Sequence, residues 1–402
     1  MDLDATQQVI LYGFLIAVVM GAVAYRTNFC TMGAVSDWVN MGDTRRLRAW
    51  LLAIAIALTG ALVLETFGIV SLDSTIPPYR TADFAWPRYI LGGLLFGIGM
   101  TLASGCSSRT MVRIGGGNLK SVVVLVSMGT MAFLMTKTDF YAIAFYSWIN
   151  PITVNLGSYG NDSQAVYELL GNLTGVSNTR ILRLGVGGAL AVFLLYVVFR
   201  SRDYRRSYLD ILAGITVGCA VLGAWYVTGG PLGREWIDDA VFMDFPPTGV
   251  GVQSYTFVNP TGELLSYVVA PGAVNGITFG VATLIGIGVG AAAYAVVTRN
   301  FRIEWFVSLR DFVRHLVGGA LMGTGGVLAM GCTIGQAISG FSTLAVGSIL
   351  AFFSIVLGSA LTMKVEYYKM VYEGEASLMD ALLSALVDLR LLPSRLRKLQ
   401  SV

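Results

Sequence analysis

The sequence predicts an all-α, polytopic membrane protein with about nine transmembrane helices, additional short broken or re-entrant helices, and two inverted pseudo-repeats. Hydrophobic residues make up 55% of the 402-residue chain and charged residues only 13%, whereas soluble domains carry about 25% charged residues. Apolar runs long enough to span a bilayer recur along the chain, and one glycine-rich segment occurs twice. A membrane β-barrel would instead show short segments of alternating polarity.

The repeated segment ends in Gly-Cys followed by a hydroxyl residue. Its first copy covers residues 92–107 and its second covers 318–333. The two align without a gap, with Gly-Gly at the start and Gly-Cys near the end of both. An internal repeat of this kind indicates a duplicated architecture. We therefore expect two structurally related halves, each built around one copy.

The first half, residues 1–135, is predicted to contain four spans. They cover approximately 9–25, 49–70, 89–104 and 119–135, and short apolar pieces follow the first and the third. These pieces cannot cross a bilayer, because a spanning helix needs about 20 apolar residues. Residues 71–87 contain prolines and acidic residues, and they are predicted to form an external loop.

The remaining chain is divided into three parts. Residues 136–207 are predicted to form an external insertion, 137–180, and a fifth span that links the halves. Residues 208–363 are the second half, with four spans and a further external insertion at 229–270. The spans cover approximately 181–199, 209–228, 271–297, 316–330 and 343–363. Residues 364–402 form a predicted cytoplasmic tail, where leucines at helical spacing indicate an amphipathic helix on the membrane surface.

Arginine and lysine are concentrated in alternate loops. The basic segments are 45–48, 109–120, 200–206, 299–314 and the tail. The positive-inside rule places these segments in the cytoplasm, with the N-terminus outside and the C-terminus inside. The span before Cys106 then runs inward and the span before Cys332 runs outward, so the two halves are inverted. Inverted halves with broken helices are typical of transporters, in which the path lies at the interface of the repeats.

Several classes of function are not supported by the sequence. The chain has no GxxxxGK[ST] motif, which argues against an ATP-driven motor. It has four cysteines without a CxxC pair and one histidine, which argues against a His/Cys metal site. We predict no catalytic residue, no cofactor, no metal and no nucleic-acid partner.

Three cysteines share one sequence context. Cys30, Cys106 and Cys332 each follow a span, precede a piece too short to cross, and are followed directly by a hydroxyl residue. We interpret each as the point where a helix stops inside the protein and a half-helix begins. Cys219 lies in the middle of a span and is predicted to be a small packing residue.

Neighbouring residues support this interpretation. Gly105 and Gly331 would permit the breaks, since glycine tolerates unusual backbone angles. The hydroxyl residues are predicted to cap the new half-helices; they are Thr31, Ser107 and Thr333. Irregular backbone at membrane depth is tolerated only where it is buried or lines a cavity. The three breaks are therefore predicted to line a substrate pathway.

The chemistry of the breaks favours a sulfur-containing anion. Helix N-termini favour anions, and a thiol is a weak donor on a soft, polarisable atom. A ligand with both a sulfur atom and oxyanion oxygens fits this combination, and thiosulfate is such a ligand. Arg109 is interpreted mainly as a topology signal, with attraction of the anion to the cytoplasmic mouth as an alternative. Glu65 is expected near the membrane interface, with proton coupling as an alternative.

The cysteine motifs resemble those of the YeeE/YedE family of bacterial sulfur-compound transporters. The matching segments are Arg26-Thr27-Asn28-Phe29-Cys30, Gly105-Cys106-Ser107-Ser108-Arg109 with residues 113–118, and Gly331-Cys332-Thr333-Ile334-Gly335-Gln336. The resemblance implies uptake of thiosulfate across the inner membrane through a central path. It also implies that the thiols of Cys30, Cys106 and Cys332 make transient S–H···S hydrogen bonds with the passing ion. A cytoplasmic TusA-type sulfur carrier is the implied partner.

Two alternatives remain beside thiosulfate transport. Transport of a selenium compound is one, because the insertions at 137–180 and 229–270 and the extended tail depart from the compact family pattern. The other is a membrane thiol–disulfide relay in which Cys106 and Cys332 pair across the repeat axis. The missing CxxC and the reducing conditions of the cytoplasm argue against the relay.

Overall fold

The computed structural model describes residues 3–176, 178–244, 246–269, 276–372 and 376–399. About 74% of it is helical. The strands of the described residues have two residues each: β1 (Thr75–Ile76), β2 (Asp83–Phe84), β3 (Val154–Asn155) and β4 (Val252–Gln253). β1 pairs in parallel with β4, and β2 pairs antiparallel with β3. The predicted all-α class is confirmed.

The helices up to the end of the first insertion include both long and short segments. They are α1 (Ala5–Thr27), α2 (Thr31–Ser36), α3 (Arg45–Thr66), α4 (Trp86–Leu102), α5 (Ser107–Gly115), α6 (Lys120–Lys137), α7 (Ser147–Ile149) and α8 (Val166–Thr174). Two π-helical segments, Asp37–Met41 and Ala142–Tyr146, and two 3₁₀ segments, Asn150–Ile152 and Leu156–Tyr159, lie between them.

The helices of the remaining chain follow the same pattern. They are α9 (Thr179–Arg200), α10 (Arg202–Arg206), α11 (Tyr208–Gly229), α12 (Pro231–Val241), α13 (Asn259–Val269), α14 (Phe279–Val297), α15 (Leu309–Leu328), α16 (Val346–Val371) and α17 (Leu378–Asp388). A helix that starts at Thr333 is π-helical over Gly335–Gly340, and Ser394–Leu396 is a 3₁₀ turn. The seventh predicted span began at residue 271, but residues 270–275 lie outside the described part.

Eight helices of the described residues are long and apolar enough to cross a membrane. They are α1 with its continuation to Met41, α3, α4 with its continuation to Gly115, α6, α9, α11, α14 and α16. The remaining predicted span corresponds to α15, which has 20 residues. Its first turns carry Arg310, Asp311 and Arg314, so it is less apolar than the others. The chain is a multi-pass helical membrane protein.

Local sequence explains where several helices begin. Asp4, Thr278 and Ser308 each precede a helix and accept a hydrogen bond from a backbone N–H of its first turn. Such side-chain oxygens satisfy amides that have no partner inside the helix. Pro87 lies in the first turn of α4, where the missing N–H of proline costs nothing.

The two copies of the repeated segment pack directly against each other. α4 and α15 run antiparallel, and a Cβ built on Gly92 would lie 2.5 Å from Ala329 N, whereas one on Gly99 would lie 2.6 Å from Gly318 O. Gly92 and Gly318 occupy equivalent positions in the two copies, as do Gly99 and Gly325. The contacts are thus reciprocal, which is the pattern that a two-fold relation produces. Small residues let the two backbones approach this closely.

Other helix pairs follow the same reciprocal pattern. α4 packs against α16 while α15 packs against α6, and α1 packs against α14 while α11 packs against α3. Each of these pairs joins a helix of the first half to one of the second, and its counterpart contains the equivalent helices with the halves exchanged. Among the described helices α9 has no such counterpart, and it packs mainly on α3 and α8.

The two segments predicted as external insertions contribute residues to the interior. Gln164 is fully buried; it accepts a hydrogen bond from Gly347 N and donates one to Tyr89 Oη, both at 3.0 Å. In the second segment, Tyr255 and Phe257 are fully buried, and Tyr255 Oη donates to Gly13 O at 2.9 Å. Neither segment is only a surface loop, because both supply hydrogen bonds to the helix bundle.

The tail forms a helix that packs on the bundle. α17 lies against α16, burying Ala381 and Ala385, and Asp388 at its end accepts a hydrogen bond from Tyr368 Oη at 2.7 Å. The predicted amphipathic helix is therefore observed, and its apolar side faces α16. Its position on a membrane surface stays a prediction.

Candidate functional site

The three cysteine-containing breaks share one backbone geometry. Asn28, Ser104 and Met330 adopt left-handed angles, with φ of 53°, 58° and 58°. The next residue then donates its N–H to a carbonyl five residues earlier, as in Gly105 N to Met100 O at 2.9 Å and Gly331 N to Gly326 O at 2.8 Å. This is the Schellman arrangement that ends many helices. The equivalent bond at the first break is Phe29 N to Ala24 O, at 3.2 Å.

The glycines therefore act differently from the prediction. Gly105 and Gly331 were expected to permit the breaks, but the left-handed positions are Ser104 and Met330. A non-glycine residue in this conformation costs about 1 kcal/mol or more. The surrounding contacts must hold both residues there.

The hydroxyl residues also occupy other positions than predicted. The residues that precede α2 and α5 as caps are Cys30 and Cys106, both with extended backbone and without a side-chain capping bond. Thr31, Ser107 and Thr333 are instead the first residues of the new helices. Their hydroxyls therefore do not cap the new helices.

The three thiols meet in the interior. Cys106 lies beside Cys30 and beside Thr333, and Cys332 lies beside Ser107. All three cysteines are buried, with Cys332 fully enclosed, and all are free thiols. Thus residues far apart in the sequence converge at the junction of the two halves.

Direct hydrogen bonds to the thiols come from nearby polar groups. Cys106 Sγ and Ser108 Oγ are 3.3 Å apart, and Gly335 N donates to Cys332 Sγ at 3.4 Å. Gly335 starts the π-helical segment, a type of distortion that occurs often at functional sites. The thiols of Cys106 and Cys332 therefore each contact a polar group of the half-helix that follows them.

The adjoining hydroxyls have no such bonds. Thr31, Ser107 and Thr333 are buried, yet their Oγ atoms make no hydrogen bond to any described residue. Buried polar atoms are nearly always hydrogen-bonded in proteins, and exceptions require an explanation. Three such atoms are grouped at the breaks, one directly after each cysteine.

An arginine-rich cleft adjoins this junction on one side. Its volume is about 660 Å³, and its lining includes Ser104, Arg109, Arg113 and Arg302. Arg109 Nη2 donates to Asn28 Oδ1 at 2.8 Å, and Arg113 Nη1 donates to Ser104 O at 2.9 Å. The two arginines therefore join the left-handed residues of the first and second breaks to one cationic surface. We call it the Arg109 cleft.

A second cleft adjoins the third break. It has a volume of about 270 Å³ and is lined by Arg88, Thr256, Asn259 and Met330, among others. Met330 is the repeat equivalent of Ser104. Since α4 and α15 run antiparallel, these residues at their C-terminal ends place the two clefts on opposite faces. We call this one the Arg88 cleft; none of Arg88 Nε, Thr256 Oγ1 and Asn259 Oδ1 bonds to a described residue.

Glu65 lies in the last turn of α3, and its position relative to the membrane interface stays a prediction. Its side chain is buried, and it forms an ion pair with Arg80, a residue that sequence reasoning did not identify. An intramembrane carboxylate requires a cationic partner, and Arg80, the single arginine of residues 71–87, could have suggested it. Gln336 was also missed as a buried side chain; its Nε2 donates to Ala329 O, while its Oε1 has no partner in the described residues.

Cys219 also differs from the prediction. It is exposed on α11 rather than packed in the interior, so it lies away from the three buried thiols. Within the described residues, no group of three or more His, Cys, Asp or Glu side chains could hold a metal ion.

The fold and the site define a polytopic helical membrane protein with a thiol-lined polar centre between two related halves, which is an arrangement of transport proteins. The model of the Sulphur transport family matches residues 26–361, and the chain belongs to this family, which includes YeeE/YedE proteins. The resemblance of the cysteine motifs is thereby confirmed, and the chain is a transport protein and not an enzyme.

Two relatives have a printed function. The chain is 27% identical over 342 residues to "Thiosulfate transporter TsuA" of Escherichia coli (strain K12), covering 82% of this chain and 86% of that protein. It is 24% identical over 353 residues to "Thiosulfate transporter TsuA" of Spirochaeta thermophila, covering 86% of this chain and 96% of that protein. Both alignments extend over most of each chain.

Proposed function

We propose that this protein transports thiosulfate across the membrane, along a route that passes between its two halves at Cys30, Cys106 and Cys332. The observation that carries the proposal is the meeting of three buried thiols and three unbonded hydroxyls at the helix breaks. The names of the two relatives support thiosulfate as the substrate.

The two clefts are the proposed entrances to this route. One approaches the first and second breaks, the other approaches the third, and they lie on opposite faces. Between them stand the thiols, with Thr31, Ser107 and Thr333 beside them and with Gly105 and Gly331 in the loops. In this proposal the ion moves from one thiol to the next by exchanging weak hydrogen bonds, so no single site holds it tightly.

The thiols suit this ion because they are neutral and soft. A neutral thiol can donate a hydrogen bond to the terminal sulfur of thiosulfate without adding a fixed charge. Positive charge is supplied at one end of the route instead, where Arg109 and Arg113 line the Arg109 cleft. Several positively charged residues in one cleft attract an anion and raise its local concentration there.

The proposed location is the bacterial inner membrane, with the N-terminus outside and the C-terminus in the cytoplasm. The Arg109 cleft then faces the cytoplasm, because its arginines belong to the basic loops. A TusA-type sulfur carrier at this face is the proposed recipient of the sulfur. The Arg88 cleft is the external entrance.

The proposed organisation has inverted halves at 1–135 and 208–363, a linking part at 136–207 and a cytoplasmic tail at 364–402. The reciprocal contacts of α4 with α15 support this division. So does the absence of a counterpart for α9 among the packed pairs of the described helices.

Uptake of ³⁵S-labelled thiosulfate into proteoliposomes tests the proposal. The wild-type protein should accumulate label, and excess unlabelled thiosulfate should compete while sulfate, which has no exposed soft sulfur, should not. Cys106→Ser and Cys332→Ser should abolish uptake. Cys219→Ser is the matched control and should transport normally, because Cys219 is exposed on α11.

Two results would contradict the proposal. Uptake of thiosulfate at the rate of protein-free liposomes would remove the assigned substrate. Undiminished uptake by both Cys106→Ser and Cys332→Ser would remove the thiols from the route.

A further inference from the structure

The second and third cysteines each lie beside a hydroxyl from the opposite half of the protein. Cys106 is next to Thr333, and Cys332 is next to Ser107. In the repeated segment, Cys106 is equivalent to Cys332 and Ser107 is equivalent to Thr333. The arrangement is therefore an exchange in which each half supplies the thiol for one pair and the hydroxyl for the other.

Neither hydroxyl makes a hydrogen bond of normal geometry within the described part of the chain, and the polar neighbour of each is the thiol of the opposite half. Both side chains are 0% exposed, and neither oxygen bonds to a described residue. Thr110, one turn along α5, shows the usual alternative, since its Oγ1 donates to Cys106 O at 3.0 Å within its own helix. Leaving a buried hydroxyl unpaired costs about 1–3 kcal/mol. The same cost at two equivalent positions indicates that both donors are kept for a ligand.

We infer that Cys106 with Thr333, and Cys332 with Ser107, form two equivalent subsites for a sulfur oxyanion, each completed by the other half. In each subsite the thiol contacts the terminal sulfur and the hydroxyl donates to an oxygen. This inference rests on the proposed transport of thiosulfate and assigns the recognition of its oxygens to Ser107 and Thr333.

The pairing of a thiol with a hydroxyl explains how a subsite selects thiosulfate through both its sulfur and its oxygen atoms. A thiol favours a soft sulfur, whereas a hydroxyl is a hard donor that favours an oxygen. Sulfate offers only oxygens and hydrosulfide offers only sulfur, so each satisfies half of a subsite. Thiosulfate satisfies both halves at once. Because each subsite draws on both halves, its geometry depends on the packing of α4 against α15.

The test uses the full-length protein in proteoliposomes. In Thr333→Val and Ser107→Ala, the KM for labelled thiosulfate should rise about tenfold or more, the change expected when a hydrogen bond to a charged group is lost. Inhibition of the remaining uptake by hydrosulfide should be unchanged, since hydrosulfide has no oxygen. Thr333→Ser, which retains the hydroxyl, should restore the wild-type KM.

Thr283→Val is the matched control. Thr283 is also fully buried, but its Oγ1 donates to Gly280 O at 2.9 Å in its own helix, so its KM should not change. Thermal unfolding in detergent checks each variant, and because the two hydroxyls belong to separate subsites, one folded variant is sufficient for the measurement.

Two outcomes would overturn the inference. An unchanged KM in the folded hydroxyl variants would do so, and with Cys106→Ser and Cys332→Ser still inactive the proposed function would stand. An equal loss of inhibition by thiosulfate and by hydrosulfide would show that the hydroxyls only support the structure. Failure of the wild-type protein to transport thiosulfate would instead remove the proposed function itself.

Discussion

Glu65 and Arg80 form an ion pair inside the protein, with Arg80 Nη1 2.6 Å from Glu65 Oε1 and Nη2 2.9 Å from Oε2. Their side chains are only 3% and 1% exposed. Arg80 Nε also donates to Thr343 O at 2.9 Å, in the loop between the third half-helix and α16. The pair therefore ties α3 to the chain that follows Cys332.

Removing one partner of this pair should destabilise the protein. In Glu65→Gln, Arg80 keeps only the carboxylate of Asp73, which is mostly exposed, so a buried cation loses its main partner. We expect the free energy of unfolding to fall by about 3 kcal/mol, as for other broken buried pairs. Chemical denaturation in detergent measures this.

The double variant Glu65→Gln/Arg80→Met distinguishes this explanation from a simple packing defect. It should be less destabilised than the sum of the two single variants, because the buried charge of Arg80 is removed together with its partner. Asp73→Asn is the control and should change stability by less than about 1 kcal/mol. Additive effects of the two single changes would contradict the interpretation.

The crossing of α4 and α15 predicts a strict size limit. Gly92→Ala would place a methyl group 2.5 Å from Ala329 N, and Gly325→Ala would place one 2.5 Å from Phe96 N. Backbone atoms cannot move away without separating the helices, so both variants should lose about 1–3 kcal/mol or more, as well as thiosulfate uptake.

Gly185→Ala is the control for this crossing. Gly185 lies in α9, where nothing stands within 4 Å of an added Cβ, so stability should be unchanged or slightly increased. Equal thermal unfolding temperatures for Gly92→Ala and Gly185→Ala would argue against close packing of the two repeats.

The anchoring of the first insertion predicts a role in stability. Gln164→Leu would leave Gly347 N and Tyr89 Oη without their present partners. We expect a loss of about 2 kcal/mol or more, the cost of buried groups left unpaired, measured by thermal unfolding. Leu173→Ala in the same insertion should have little effect, because Leu173 is exposed. A stable Gln164→Leu protein would indicate that the insertion can detach from the bundle.

Arg109 should act mainly through its charge. Arg109→Gln is expected to raise the KM several-fold for thiosulfate presented at the cytoplasmic face, in proteoliposomes with that face outward. It should also weaken the dependence of uptake on ionic strength, because the attraction of the cleft is screened by salt. Arg109→Lys should retain most of the effect. Salt-dependent uptake assays provide the measurement.

Asn28→Gly separates charge from structure at the same contact. It removes the bond from Arg109 to Asn28 Oδ1 but permits the left-handed backbone of this position, so the KM should stay close to that of the wild type. A KM that rises as much in Asn28→Gly as in Arg109→Gln would show that the bond, and not the charge, is important.

Much of the fold could be predicted because its signals are local. The apolar runs predicted the spans to within a few residues, as for α9 and α11, and the repeated glycines marked the crossing of α4 with α15. The breaks at the cysteines were also predicted, but the left-handed residues and the helix caps each lie one residue away from the predicted positions. The left-handed residues are Ser104 and Met330 rather than the adjacent glycines, and the cap positions of α2 and α5 belong to the cysteines.

The parts that were not predicted depend on contacts between distant segments. Polar composition marked 137–180 and 229–270 as external, yet Gln164 and Tyr255 are fully buried because each finds hydrogen-bond partners on remote helices. The partner of Glu65 is 15 residues away in sequence, beyond the end of its own helix. The pattern of apolar residues within one segment gives no information on contacts with such distant residues.

The sequence by itself determined that this is a helical membrane protein with duplicated cysteine motifs, because hydropathy and internal similarity are properties of the chain alone. Only the tertiary structure decided which thiol faces which hydroxyl, since Cys106 and Thr333 are brought together by the reciprocal packing of the two halves. The physical reason is that a bilayer-spanning run specifies its own helix, whereas the polar centre is specified by the way that the helices cross.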